Sequence, residues 1–236
     1  MNAGNEQGFV LPPPTLVSLP VTGREGRFAV RRCFCVGQNY SEHAREMGAS
    51  GREPPFFFAK PADAVCTPNT LPFPGMTHNL HHEVELVVAI GAACRSVPVR
   101  QALDRVFGYA VGVDLTRRDL QAAAKEKGRP WTTAKGFDLS APVSAIRPAA
   151  DGGHPDDVPI RLSVNGGVRQ DGRTGDMIWS VPEVIAELSR YFELQAGDLV
   201  FTGTPAGVGP LVPGDLVECR IDGVGELAFS LGPATY

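Results

Sequence analysis

The segment over residues 83–90 limits most strongly how this chain folds. Glu83 and Glu85 flank a valine, and an unbroken apolar run follows at residues 86–90. Alternate residues of a strand point to the same face about 6.5–7 Å apart, and a run that is apolar on both faces predicts a strand inside a sheet. Two neighbouring carboxylates on such a strand need a compensating cation, unless they lie at its wet end and face solvent.

Further strands and two helices complete a β-rich α+β pattern, without the regular strand–helix alternation of a doubly wound fold. Asn165-Gly166 predicts a type I′ hairpin turn. Capping boxes predict one helix from Thr116 with Asp119, and a second from Ser180 with Glu183. The first helix should run to about residue 127 and the second to about residue 192. The other predicted strands cover residues 30–37, 56–59, 106–113, 160–170 as a hairpin, 198–202, 215–221 and 226–231.

The domain organisation follows from where these elements lie. Residues 1–29 are rich in proline, glycine and polar residues and predict an extended strap or short edge structure, not a domain. Residues 30–236 predict one main domain. Residues 61–79 hold four prolines and predict a loop. A short helix is expected over residues 40–48, followed by a loop at 49–55 with Gly48, Gly51 and Pro54-Pro55 as hinge points of a lid.

Charge and composition exclude several classes of protein. The formal net charge of −4 provides no general attraction for nucleic acid. No apolar run approaches the ~18–20 residues that span a bilayer, and the first residues lack the basic start and apolar stretch of a signal peptide. A cytoplasmic protein without membrane contact is therefore expected. The five cysteines include no CxxC pair and predict reduced, partly buried thiols.

A third carboxylate, Asp114, directly follows the apolar strand at residues 107–113. Carboxylates without a thiolate favour a hard cation, Mg²⁺ or Mn²⁺, over Zn²⁺. His81 and His82 are adjacent and lack the i,i+4 spacing of a helical zinc site. Glu83, Glu85 and Asp114 are therefore candidate ligands of a divalent cation.

Three further patterns each have a functional and a plain structural interpretation. His43 and Glu46 are neighbours on a helix and form either a water-activating pair or an ordinary polar surface. Lys135, in a predicted loop, is either functional or simply solvated. The glycine-rich turn at residues 202–207 cradles a carboxylate with its N–H groups or is only a tight turn.

Six motifs occur along the chain, and together they carry a resemblance. They are Gly37-x-Asn39-Tyr40-x-x-His43-x-x-Glu46, Phe58-x-Lys60-Pro61, His82-Glu83-x-Glu85-Leu86, Gly112-x-Asp114-x-Thr116-x-Arg118-Asp119-x-Gln121, Trp131-x-x-x-Lys135 and Thr202-Gly203-Thr204-Pro205-x-Gly207-Val208-Gly209. Because these motifs occur in the order typical of the fumarylacetoacetate hydrolase family, the sequence resembles that family. The resemblance is strongest to its short single-domain members, the fumarylpyruvate hydrolases and acylpyruvases. The resemblance covers roughly residues 30–232.

The resemblance implies a fold, an assembly and residue roles. The fold is a roll of mixed β-sheets around a metal site, and the assembly is a homodimer. The implied roles are Mg²⁺ or Mn²⁺ ligands for Glu83, Glu85 and Asp114, water activation for His43 and Glu46, catalysis beside the metal for Lys135, and substrate contact for Arg118, Gln121, Thr204 and Lys60. Gln38 departs from the pattern, because many relatives have arginine there.

The implied reaction is hydrolysis of a carbon–carbon bond in a small 2,4-dioxo acid. Fumarylpyruvate would give fumarate and pyruvate, a step in the breakdown of gentisate. The alternatives are an acylpyruvase, an oxaloacetate decarboxylase and a 2-hydroxyhepta-2,4-diene-1,7-dioate isomerase. A metal-stabilised structural domain is the alternative that is not an enzyme.

Overall fold

The computed structural model describes residues 8–40 and 53–234. The strands within these two ranges are β1 (Ser18–Pro20), β2 (Arg27–Ala29), β3 (Arg32–Gly37), β4 (Phe56–Lys60), β5 (Val65–Cys66), β6 (Thr70–Phe73), β7 (Leu80–His82), β8 (Val84–Ile90), β9 (Val106–Val113), β10 (Thr116–Arg117), β11 (Ala141–Pro142), β12 (Arg147–Pro148), β13 (Pro159–Val164), β14 (Gly167–Arg173), β15 (Asp198–Phe201), β16 (Gly209–Leu211), β17 (Leu216–Ile221) and β18 (Gly225–Ala234). The α-helices there are α1 (Val99–Ala102), α2 (Arg118–Glu126), α3 (Thr132–Lys135), α4 (Ala149–Gly152) and α5 (Val181–Tyr191).

A six-stranded sheet with the order β12-β9-β8-β15-β3-β4 forms the centre of the molecule. Strands β15 and β3 are parallel, and β8 pairs antiparallel with both β9 and β15. All seven residues of β8 are buried. This confirms the central strand that the apolar run predicts.

Both faces of the central sheet are covered by apolar layers, as expected for a strand that is apolar on both sides. One face packs in a core shared with the five-stranded sheet β14-β13-β17-β18-β6 and with helix α5. The other face packs in a second core that includes Leu19 of β1, Val65 of β5, and Cys33 and Cys35 of β3. All five cysteines are free thiols. The β-rich α+β class is thus confirmed.

Local signals of the sequence are confirmed at one hairpin and one helix. Strands β13 and β14 meet at Asn165 and Gly166, whose φ angles of 52° and 75° suit the predicted type I′ turn. Helix α5 begins after Ser180, and Ser180 and Glu183 form the predicted capping box. Hairpins and helix caps are local, so the residues that form them are adjacent in sequence.

Two predicted elements differ from the structure. Helix α2 begins at Arg118, because Thr116 lies in β10 and the Asp119 carboxylate accepts hydrogen bonds from Thr77 Oγ1 and the His78 N–H. Residues 61–79 are not all loop, because β6 adds in parallel to the end of the five-stranded sheet beside β18. In residues 1–29, predicted as an extended strap or short edge structure, the described part contains the antiparallel pair β1–β2. The predicted helix at 40–48 and much of the lid fall on residues 41–52, outside the described residues.

No helix in the described ranges is both long and apolar enough to cross a membrane.

Candidate metal centre

Three carboxylates meet at the end of the pair β8–β9. Glu83 lies between β7 and β8, Glu85 lies in β8, and Asp114 directly follows β9. The Asp114 N–H donates to the Glu83 carbonyl oxygen over 2.8 Å, which extends the β8–β9 ladder to this point. One oxygen from each of the three carboxylates lies within 4.8 Å of the others. All three residues are at most 5% exposed, so they do not face solvent at a wet strand end.

Glu83 reaches this place in a different way from the prediction. The sequence suggests one strand carrying both glutamates on one face, but the chain passes at Glu83 from β7 into β8. Strand β7 belongs to a separate three-stranded sheet with β10 and β16. The change of sheet at Glu83 places its carboxylate beside that of Glu85. The end of β9 places Asp114 next to both.

Lys135 is the cation that contacts two of these carboxylates. Its Nζ donates to Glu83 Oε2 over 2.8 Å and to Asp114 Oδ2 over 2.6 Å. It lies at the end of the one-turn helix α3, and not in the predicted loop. Burial by itself lowers the pKa of Lys135, but Asp114 and Glu83 outweigh burial, so the pKa is raised. Lys135 is therefore an ammonium ion at neutral pH.

Lys60 supports Asp114 from behind. Its side chain is fully buried, and Nζ lies 2.8 Å from Asp114 Oδ1. The same ammonium donates to Ser140 Oγ over 3.1 Å and to the Leu115 carbonyl oxygen over 3.2 Å. It does not line the open pocket beside the carboxylates. The resemblance implies a substrate contact for Lys60, whereas this position suits an indirect role through Asp114.

The burial of Glu85 beside two other carboxylates favours a bound divalent cation. Its Oε2 accepts a hydrogen bond of 2.7 Å from the Gly203 N–H. Gly203 has φ = 97°, and a side chain there would meet Asn39 at 2.8 Å, so the close approach requires glycine. Burial, followed by the charges of Asp114 and Glu83, raises the pKa of Glu85 well above its ordinary value. A hard divalent ion bound by three carboxylates would remove this penalty.

The wall of the adjoining pocket carries polar side chains from five separate segments of the chain. Arg118 donates to Glu83 Oε1 and to Gln121 Oε1. The Lys125 ammonium lies 5.1 Å from the centre of the Trp131 ring. The pocket-lining residues with polar or aromatic side chains are Gln38, Phe56, Phe58, Glu83, Glu85, Asp114, Arg118, Gln121, Lys125, Trp131, Lys135 and Thr204.

The two histidines next to Glu83 are held by other partners. His81 Nε2 contacts Asn79 Oδ1 at 2.9 Å, and His82 Nδ1 contacts Gln170 Oε1 at 3.0 Å. Burial is the main cause that lowers the pKa of His81 to about 4. Burial also lowers the pKa of His82. Both rings are therefore neutral at pH 7, and neither belongs to the carboxylate group.

Two residues of this region, Gln170 and Ser140, cannot be identified as site residues from any pattern in the sequence. Gln170 is fully buried on β14 among mostly exposed neighbours, and it bonds both Val84 and Thr204. Ser140 lies between Lys60 and the Lys135 carbonyl oxygen. Their partners are distant in sequence, so only the tertiary structure reveals them. The predicted pair His43 and Glu46 lies outside the described residues.

Fold and site together define a β-rich protein with a buried tri-carboxylate centre, and comparison with known proteins gives its family. A model of the fumarylacetoacetate (FAA) hydrolase C-terminal domain matches residues 32–231. This chain belongs to the fumarylacetoacetate hydrolase family.

Three similar proteins illustrate the activities that occur among the relatives of this chain. The crystal structure of fumarylpyruvate hydrolase from Pseudomonas aeruginosa in complex with Mn²⁺ and pyruvate matches with a TM-score of 0.93 and 49% identity, over 96% of this chain and 100% of that one. The oxaloacetate tautomerase of Escherichia coli is 45% identical, over 83% of this chain and 90% of its own. The mitochondrial oxaloacetate tautomerase of Homo sapiens is 43% identical, over 87% and 94%.

Stabilisation by Mn²⁺ should depend on pH. Glu85 holds its proton more tightly in the metal-free folded chain than in the unfolded chain. Linkage therefore lowers the stability of the metal-free protein as pH rises above the ordinary carboxyl range toward the raised pKa. Bound Mn²⁺ requires the ionised carboxylate and offsets this loss. We expect the rise in melting temperature caused by Mn²⁺ to be larger at about pH 8 than at about pH 5.

Differential scanning fluorimetry with Mn²⁺ or with EDTA measures this difference. In Glu85→Gln the pH dependence of the Mn²⁺ effect should shrink, because the titrating group is gone. A Mn²⁺ effect in the native protein that is equal at both pH values, or larger in acid, would contradict the expectation.

Proposed function

We propose that this protein is a divalent-metal-dependent hydrolase that cleaves a carbon–carbon bond of a 2,4-dioxo acid, with fumarylpyruvate as the substrate. The main support is the buried group of Glu83, Glu85 and Asp114 with Lys135 against it. The relative of known structure that was solved with Mn²⁺ and pyruvate is similar over nearly the whole chain. Pyruvate is the product that this reaction would release.

The charges of the site suit a small dicarboxylate. Three cations, Lys60, Lys135 and Arg118, pair with Glu83 and Asp114. Together with Glu85, the formal charges of these six groups sum to zero when all are ionised. A bound divalent ion brings the sum to +2, and Lys125 adds a further positive charge to the pocket wall. Opposite charges attract strongly where water is scarce, so a dianionic acid fits this pocket.

The residues of the chain divide the work in the proposed reaction. Water adds its hydroxyl to the distal carbonyl carbon, the bond to the neighbouring CH₂ carbon breaks, and its electron pair stays on that carbon. Fumarate leaves, and the pyruvate enolate takes a proton to become pyruvate. A Mg²⁺ or Mn²⁺ ion held by Glu83, Glu85 and Asp114 would supply Lewis acidity. The Lys135 ammonium lies in the pocket wall and offers a hydrogen bond to the developing negative charge.

His43, with Glu46, is proposed to take the proton of the attacking water. Changing His43 to alanine should therefore lower the rate of hydrolysis about 10²–10⁴-fold, the range for loss of a general base. Metal binding should remain, because the three carboxylates are untouched. Steady-state hydrolysis and Mn²⁺ titration check both expectations. His78→Ala is the matched control, because His78 is an exposed histidine whose side chain does not line the pocket. Undiminished hydrolysis by the His43 variant would show that another base acts.

Oxaloacetate tautomerisation is a second candidate function. It is favoured by the relatives from Escherichia coli and Homo sapiens at 45% and 43% identity. The reaction moves a proton between the C3 carbon and the C2 oxygen and consumes no water. It would use the same carboxylates and Lys135, but it has no need of a water-activating pair.

One product assay separates the two candidates. Purified protein with Mn²⁺ or with EDTA is given fumarylpyruvate, acetylpyruvate and oxaloacetate in parallel. The hydrolase predicts pyruvate and fumarate from fumarylpyruvate in preference to the other acids, with loss of activity in EDTA. Enol–keto exchange of oxaloacetate without cleavage of fumarylpyruvate would favour the tautomerase. Pyruvate and CO₂ from oxaloacetate alone would indicate a decarboxylase.

A further inference from the structure

Gln170 connects the carboxylate centre to the glycine-rich loop after β15. It lies on β14, and its side-chain amide is fully buried. Its Oε1 accepts a hydrogen bond of 3.1 Å from the N–H of Val84, the residue between the two glutamates. Its Nε2 donates to Thr204 Oγ1 over 2.7 Å and to the Pro205 carbonyl oxygen over 2.9 Å. One amide therefore links the segment that carries the two glutamates to the loop that carries Thr204.

The backbone partners decide which way this amide faces. The Val84 N–H can only donate, so it must meet the amide oxygen. The Pro205 carbonyl oxygen can only accept, so it must meet the amide nitrogen. The reversed amide would place donor against donor and acceptor against acceptor, and buried groups left without partners are costly. The orientation with Oε1 toward Val84 is thus required by the backbone.

This orientation also decides the direction of the Thr204 hydroxyl. The Gln170 nitrogen has two hydrogens, and they go to Pro205 and to Thr204 Oγ1. Thr204 Oγ1 is therefore an acceptor toward Gln170. Its own hydrogen finds no acceptor among residues 8–40 and 53–234, and Thr204 lines the pocket beside the carboxylates. As far as the described part of the chain is concerned, this hydrogen is available to a ligand.

We propose that Gln170 is a positioning residue that makes the Thr204 hydroxyl a hydrogen-bond donor to an oxygen of the bound 2-oxo acid. This inference rests on the proposed function, which supplies the chemical class of the ligand, a 2-oxo acid. A carboxylate or keto oxygen accepts such a hydrogen bond, and a hydroxyl whose acceptor side is already occupied is prepared to give it. Gln170 does not line the pocket, so its proposed effect on the ligand passes through the Thr204 hydroxyl.

A double-mutant cycle tests this assignment with pyruvate as the probe. The dissociation constant of pyruvate is measured by calorimetry on the Mn²⁺-loaded protein for Gln170→Met, for Thr204→Val and for the two together. Each single change should weaken pyruvate binding about tenfold, the loss of one good hydrogen bond. In the double variant, Gln170→Met should add less than about twofold, because its target is already absent. Thr204→Ser keeps the hydroxyl and should bind like the native protein.

A purely structural role for Gln170 predicts a different result. Gln170→Met would then weaken pyruvate binding by the same factor with or without the Thr204 hydroxyl, and that outcome would overturn the inference. Gln195→Met is the matched control, because this glutamine lies outside the pocket and bonds Glu193. It should leave pyruvate binding unchanged.

A second measurement tests the hydrogen bond between Gln170 and Thr204, on which the inference depends, without any substrate. The side-chain amide signal of Gln170 is assigned in a ¹⁵N spectrum by its disappearance in Gln170→Met. Thr204→Val should shift that signal, because one amide hydrogen loses its acceptor. An unshifted signal would overturn the inference. If the native protein binds no pyruvate but the signal shifts, the proposed function fails while the link between Gln170 and Thr204 stands.

Discussion

Replacing Glu85 with glutamine is expected to lower metal-dependent turnover by on the order of a thousandfold or more, because the amide cannot serve as an anionic ligand. The affinity for Mn²⁺ should fall in parallel. The metal-free protein should not be destabilised, since the change removes a fully buried carboxyl whose ionisation is unfavourable. Turnover with Mn²⁺, calorimetric Mn²⁺ titration and thermal melting in EDTA check the three expectations.

Glu218→Gln is the matched control for that change. Glu218 lies on an exposed position of β17, so its substitution should leave all three measurements unchanged. Near-native turnover of Glu85→Gln with Mn²⁺ still bound would contradict the assignment of the carboxylate centre as the catalytic site.

Replacing Lys135 with methionine is expected to separate stability from catalysis. Without its ammonium, Glu83 and Asp114 lose a buried partner, and breaking such a pair costs about 3–5 kcal/mol. For a chain of this size that corresponds to a fall of roughly 10 °C in the melting temperature in EDTA. Added Mn²⁺ should restore much of the loss, because the ion takes over the neutralisation of the carboxylates.

The activity of Lys135→Met should not return with stability. Loss of a donor to developing negative charge lowers the rate about 10²–10³-fold even when the fold is intact. Lys127→Met is the control, because Lys127 is exposed at the end of α2. A variant that is stabilised by Mn²⁺ and also turns over at the native rate would limit Lys135 to a structural role.

Short-range patterns account for what the sequence predicts well. The apolar run after Glu85 predicts the central strand β8, and Asn165-Gly166 and Ser180 predict a hairpin turn and a helix start. In each case the pattern that carries the prediction lies within a few neighbouring residues. The three carboxylates are also identified from the sequence, because each lies at or near the end of an apolar run that predicts a strand. The homodimer and the roles of His43 and Glu46 stay predictions.

Long-range contacts account for what the sequence does not reveal. The break at Glu83 arises because β7 joins a sheet with β10 and β16, which periodicity in one segment cannot show. Lys60 lies behind Asp114 because β4 pairs with β3 at the edge of the central sheet. Gln170 is identified only by partners 34 and 86 residues away. Such contacts depend on how the sheets pack, and no local propensity records them.

The most direct test of the central claim is an anomalous-scattering map from a crystal soaked with Mn²⁺ and pyruvate. The account predicts one strong peak bound by Glu83, Glu85 and Asp114, with pyruvate density beside it in the pocket that Lys135 and Thr204 line. A map with no peak at these carboxylates, or with Mn²⁺ bound elsewhere, would contradict the proposed metal centre and the reaction built on it.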